Sequence, residues 1–145
     1  MRIAVLNGPN LNLLGQREPE VYGRTSLAEI EGMVREAARA AGVEVDWFQT
    51  NHEGAMVEAV QGLRGRADGA LINAAALTHS SLALRDALLA VKIPFVELHL
   101  SNIFAREPER RHSVIADLAI GMVTGFGAQS YLLALQALMG RLRAA

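Results

Sequence analysis

Ile3-Ala4-Val5-Leu6, running into Asn7-Gly8-Pro9-Asn10-Leu11-Asn12-Leu13-Leu14-Gly15-Gln16-Arg17-Glu18-Pro19-Glu20-Val21-Tyr22-Gly23, is the stretch on which the reading of this chain turns. The four apolar residues read as a buried strand. Ser26-Leu27-Ala28-Glu29 then has the form of a capping box and opens a helix to about Ala41, closed by Gly42. A strand-to-helix connection is ordinarily ~2–6 residues long. This one is far longer, and long loops at that place in an α/β fold are usually functional. It carries Arg17 and Tyr22, bracketed by Gly15 and Gly23 as hinges bracket a lid. A guanidinium beside a phenol favours the phenolate, which makes a base out of tyrosine.

Further strand and helix signals alternate along the chain. Val43–Phe48 alternates as a strand. Asn51 is placed to cap a second helix with Glu53 in its first turn and Met56, Val57 and Val60 inward. Gly69–Asn73 is a short buried strand, and a helix is expected from Thr78 to Val91. Pro94–Leu100 is a strand with its proline at the permitted first position. Residues 104–113 are polar loop or a short helical turn. A fifth strand covers Leu118–Val123, and a last helix about Ala128–Leu142. Ile30, Met33, Val34 and Ala37 form the expected inner stripe of the first helix; Leu132, Leu135, Gln136 and Met139 form that of the last. This order predicts a single domain over residues 1–145. Its fold is α/β: a flavodoxin-like, open five-stranded parallel sheet, order 2-1-3-4-5, with helices on both faces.

Composition narrows the function. The chain has 145 residues, is 51% hydrophobic, and carries a net charge of -1, which argues against a general nucleic-acid binder. With no cysteine, disulfides, thiolate catalysis and cysteine-ligated zinc are excluded. Residues 1–6 lack a signal-peptide layout and no apolar run approaches ~18 residues, so a cytoplasmic protein without membrane association is expected.

Open α/β sheets bind ligands at the carboxyl ends of their strands, where strand order reverses. That edge collects Asn7 and Asn10 after the first strand, Asn73 after the third, and Glu97, His99 and Ser101 at the fourth. Strand periodicity puts the last three on one side, where Glu97 can orient His99. Taken singly, each has an ordinary structural reading: a strand-end pair, a turn asparagine, a cap at Ser80 or Ser81, or a solvated basic run at Arg106, Arg110 and Arg111. Together they form a phenol–arginine pair on a lid, a Glu–His pair, neutral amides and arginines for a carboxylate. No nucleophile with a partnered base and no zinc-ligand spacing is present. The chemistry best served is proton abstraction next to a carbonyl, with a histidine acid for a leaving group. A flavodoxin-like signalling or flavin-binding domain is the competing reading. Asn7 and Asn73 stand where a receiver domain needs acids, and Pro9, Leu11, Leu13 and Leu14 do not make a flavin phosphate loop.

The residues also resemble a known family. Asn7–Gly15 followed by Arg17-Glu18-Pro19 and Tyr22-Gly23 is similar to the opening of type II 3-dehydroquinate dehydratase, an enzyme of the shikimate pathway. Ile72-Asn73 with Leu77–Ser81 and Ala83–Ala87, Glu97–Ile103 with Ala105–Pro108, and Gly125-Phe126-Gly127 with Tyr131–Leu135 match in order. The resemblance implies a cofactor-free and metal-free lyase making 3-dehydroshikimate. Tyr22 would be the base, supported by Arg17; Asn10 would stabilise an enolate, and His99 with Glu97 would be the acid. Asn73, His79, Leu100, Ser101, Arg110 and Arg106 would bind the substrate. Asp86 would reach the site of a neighbouring subunit in a homododecamer built as a tetramer of trimers. The other dehydroquinase class uses a lysine Schiff base. The one lysine here, Lys92, precedes the fourth strand, at the wrong end of the sheet. Departures from the family pattern are Phe104 for a common histidine, Ala74–Leu77 for a frequent Pro-Gly-Ala-Tyr, Glu109 for an aromatic, and Ser130 for a glycine.

Overall fold

A computed structural model describes residues 1–16 and 18–145; the expectations for Arg17 lie outside the described residues. The five strands are β1 (Arg2–Asn7), β2 (Glu44–Gln49), β3 (Gly69–Asn73), β4 (Phe95–His99) and β5 (Gly121–Thr124), all parallel, in the order β2-β1-β3-β4-β5. The helices are α1 (Pro19–Tyr22), α2 (Leu27–Ala40), α3 (Glu53–Gln61), α4 (Leu82–Val91) and α5 (Gln129–Ala144). The flavodoxin-like order 2-1-3-4-5 read from the sequence is the observed one.

Alternate residues of the central strands feed two cores. Ile3, Val5, Leu71, Val96 and Leu98 pack under α2 and α5 on one face. Ala4, Leu6, Ala70, Ile72 and Phe95 pack under α3 and α4 on the other. Strands covered on both faces read as continuous apolar runs, which is why they stand out in sequence. β2 is an edge strand with every residue at least partly exposed.

The α2 capping box is complete: Ser26 Oγ accepts from the Glu29 amide at 3.1 Å, and Glu29 accepts from the Ser26 amide at 3.2 Å. Several local expectations are corrected. Met33 is exposed, and α2 buries Ile30, Val34 and Ala38 instead. On α5, Gln136 is exposed and the inner stripe is Tyr131, Ala134, Leu135 and Leu138. Both misreadings place an i, i+3, i+4 stripe a fraction of a turn off its core. Residues 75–79 form a 3-10 turn, so α4 starts only at Leu82, capped by Ser81, whose Oγ accepts from the Leu84 amide at 3.0 Å. Residues 116–118 are likewise a 3-10 turn, and β5 begins at Gly121. The connection after β1 contains the one-turn helix α1, where the sequence offered only a loop. Asn51 does not cap α3; His52 occupies that position.

Candidate active site

The sheet changes winding direction between β1 and β3, and their carboxyl ends lie level, Asn7 opposite Asn73. The Gly8 amide donates to the Asn73 carbonyl at 2.8 Å. Gly8 has no room for a side chain: a Cβ there would meet the Ala74 carbonyl oxygen at 2.3 Å. This approach closes the floor of a cleft lined by Asn10, Tyr22, Asn73, His79, His99, Leu100, Ser101, Arg106 and Arg110, with Pro9, Leu11, Ala75, Ala76 and Ile103. The topology rule for open sheets places a site here.

The side chains of the floor are held by a buried network. The Tyr131 hydroxyl, fully buried on α5, donates to Asn7 Oδ1 at 2.6 Å and accepts from Asn73 Nδ2 at 3.0 Å. Asn7 Nδ2 donates to the Phe48 carbonyl at 3.0 Å, and Asn73 Oδ1 accepts from the Ala75 amide at 3.2 Å. Burial pushes the Tyr131 phenol well above its ordinary value, partly opposed by the bond from Asn73. Asn10 has a left-handed backbone (φ 69°), and its amide donates to Asn51 Oδ1 at 2.9 Å. Asn51 therefore supports the cleft loop rather than a helix start.

On β4, Glu97 and His99 share the face turned to α4. His99 Nε2 donates to Glu97 Oε2 at 2.6 Å, and both residues are buried. Glu97 receives Ser113 Oγ on Oε1 at 2.9 Å and Thr78 Oγ1 on Oε2 at 3.5 Å. The Ser113 oxygen is in turn fixed by the amides of Ile115 at 3.2 Å and Ala116 at 3.0 Å. A carboxylate buried this deeply needs such donors.

Arg106 lines the cleft and also reaches the lid tyrosine. Its Nη1 donates to the Tyr22 hydroxyl at 3.1 Å and to Ser101 Oγ at 3.4 Å, and its guanidinium lies 5.3 Å from the Tyr22 ring centroid. Arg111 Nε donates to the Arg106 carbonyl at 2.5 Å, pinning that turn. Arg110 pairs with Glu107, whose carboxyl sits below its usual range because of its own backbone amide and then Arg110. His79 is pushed below its ordinary value, chiefly by desolvation, against a raising bond to the His112 carbonyl, and further by His99, Arg110 and His112. Asp86 is exposed on α4 and does not line this cleft. Phe104, the residue after the cleft-lining Ile103, is exposed, at 55% of its full accessibility.

Sequence reasoning gathered the cleft residues but missed Thr78, Ser113, Tyr131 and Asn51 as their supports. Their partners lie 16 or more residues away along the chain, so local pattern carries no signal for them. Among the described residues no group of three His, Asp or Glu side chains could hold a metal ion, and no helix is long and apolar enough to cross a membrane.

The fold and cleft define a doubly wound α/β protein with acid–base side chains at the switch point of its sheet. The chain belongs to the class II dehydroquinase family, whose model matches residues 1–139. The 3-dehydroquinate dehydratase of Parasynechococcus marenigrum is 59% identical over 143 residues, covering 99% of this chain and 98% of that protein. The catabolic 3-dehydroquinase of Penicillium rubens is 52% identical over 134 residues, covering 92% of this chain and 86% of that one. The crystal structure of type II dehydroquinase from Butyrivibrio crossotus superposes with a TM-score of 0.94 at 40% identity, over 96% of this chain and 97% of that one.

Proposed function

We propose that this chain is a type II 3-dehydroquinate dehydratase of the shikimate pathway, acting as one cytoplasmic catalytic domain without cofactor or Schiff base. The observation that carries the reading is the meeting, in one cleft, of a phenol held by a guanidinium with a histidine held by a buried carboxylate. The Tyr22 phenolate takes the proton from C2 of 3-dehydroquinate, and the C–H electrons pass into an enolate on the C3 oxygen. Arg106 stabilises the phenolate before transfer, a role the family motif also gives to Arg17. Asn10 stabilises the enolate as its charge develops, through a water. The enolate then collapses to the C1–C2 double bond, and the C1 hydroxyl leaves as water with a proton from His99, an overall anti elimination.

His99 donates through Nε2 to Glu97, which leaves its Nδ1 for the departing hydroxyl. Asn73, His79, Ser101, the amides of Leu100 and Ser101, and Arg110 bind the substrate hydroxyls and carboxylate. Asp86, exposed on α4, serves a neighbouring subunit of a homododecamer, a tetramer of trimers. The test is the rise in ultraviolet absorbance as the conjugated enone forms. Wild-type protein turns over 3-dehydroquinate, whereas Tyr22→Phe loses turnover and retains measurable substrate affinity. A Tyr22→Phe variant at the wild-type rate would end the tyrosinate role.

A further inference from the structure

His79 and His112 hold each other through their backbones. His79 Nδ1 donates to the carbonyl of His112 at 2.7 Å, and His112 Nε2 donates to the carbonyl of His79 at 2.8 Å. The rings meet edge to face, with centroids 5.9 Å apart. Two residues after His112, the Val114 amide donates to the Thr78 carbonyl at 2.8 Å. Three hydrogen bonds therefore join residues 78–79 to residues 112–114. His112 itself is exposed and does not line the cleft.

The chemistry of imidazole gives this clasp a consequence. A carbonyl facing Nδ1 requires a proton on that nitrogen. In a neutral ring the other nitrogen, Nε2, then carries a lone pair and can only accept. Desolvation and the neighbouring charges favour the neutral ring at His79.

We propose that His112 is a positioning residue: by holding its own carbonyl against His79 Nδ1, it makes His79 Nε2 a hydrogen-bond acceptor in the cleft, which selects a ligand hydroxyl at that point over a carbonyl or carboxylate oxygen. This rests on the reading of the cleft as a 3-dehydroquinate site. A hydroxyl brings a hydrogen to the lone pair, whereas a carbonyl or carboxylate oxygen brings a second lone pair, and polar mismatches in a desolvated site are costly.

The test uses full-length enzyme labelled with 15N in its histidine rings, free of ligand at neutral pH. Solid-state NMR separates Nδ1–H from Nε2–H imidazole, and the His79 signals are those lost in His79→Asn. Wild-type protein should show His79 as Nδ1–H. His112→Ala should mix in the Nε2–H form and raise KM for 3-dehydroquinate roughly tenfold, the worth of one well-made hydrogen bond, with kcat within about twofold. His112→Gln, whose amide N–H can replace Nε2–H, should restore both readouts. An Nε2–H ring in the wild type, or a His79 ring unmoved by His112→Ala, would overturn the positioning role. A ring that shifts while KM stays constant supports the clasp and overturns His79 as a substrate contact. Absence of wild-type turnover would overturn the dehydratase reading and leave the NMR result standing.

Discussion

Tyr131→Phe removes one oxygen from the buried network under the cleft and tests whether that network holds the fold as well as the site. The hydroxyl donates to Asn7 Oδ1 at 2.6 Å and accepts from Asn73 Nδ2 at 3.0 Å, and Asn7, Asn73 and Tyr131 are all buried. Its loss strands one buried acceptor and one buried donor, at about 1–3 kcal/mol each. No longer burying a phenol hydroxyl returns about 1–2 kcal/mol. Taken at the middle of these ranges, the net expectation is a loss of about 2.5 kcal/mol. Urea denaturation at fixed subunit concentration measures it, because association otherwise shifts apparent stability.

A second signature of the same substitution follows from pH. Burial holds the native Tyr131 phenol protonated, while the phenol of the unfolded chain ionises near pH ~10. Above that pH the unfolded state binds fewer protons, so wild-type stability falls as pH rises, by about 1.4 kcal/mol per pH unit, until the native phenol titrates. Below it the contribution is fully present. Phenylalanine has no such term, so the gap between the two proteins should narrow above pH ~10. A variant within about 0.5 kcal/mol of wild type, with a parallel pH profile, would refute the argument.

Three further outcomes are expected. Ala75 has a left-handed backbone (φ 53°) at a position where glycine costs nothing sterically, so Ala75→Gly should gain roughly 0.5–1 kcal/mol in urea denaturation. Gly8→Ala forces a methyl onto the Ala74 carbonyl and should cost about 3 kcal/mol or more, read as a lost denaturation midpoint or as insoluble protein. His79 has a lowered native pKa, so the unfolded chain protonates first as pH falls below ~6.5, and stability is lost through that window; His79→Asn should flatten the acid limb of the stability profile relative to wild type.

Much of the candidate site was legible because strand ends in this topology converge. Asn10, Asn73, Glu97, His99 and Ser101 could be gathered on one edge from strand order and period alone. Arg106 was legible as one arginine of a basic run and, through the family resemblance, as a substrate contact, but not as a partner of Tyr22. Its contact with the Tyr22 hydroxyl spans 84 residues of sequence, and no local pattern encodes such a distance. Ser113, Thr78 and Tyr131 gave no signal as supports of Glu97 and Asn73 for the same reason. The shifted stripes on α2 and α5 are errors of angle, since each apolar helix surface is wider than the seam that the sheet covers.

The sequence by itself determined the sheet. Continuous apolar runs bounded by caps and glycines specify parallel strands buried on both faces, and right-handed crossovers leave few orders for five of them. Tertiary structure alone decided which polar atoms face one another across the switch point. Hydrogen bonds depend on distances of tenths of an ångström between residues far apart in the chain, whereas burial needs only the right periodicity. That is why the fold could be read along the chain, and why the tie from Arg106 to Tyr22, the supports of Glu97 and the clasp between His79 and His112 could not.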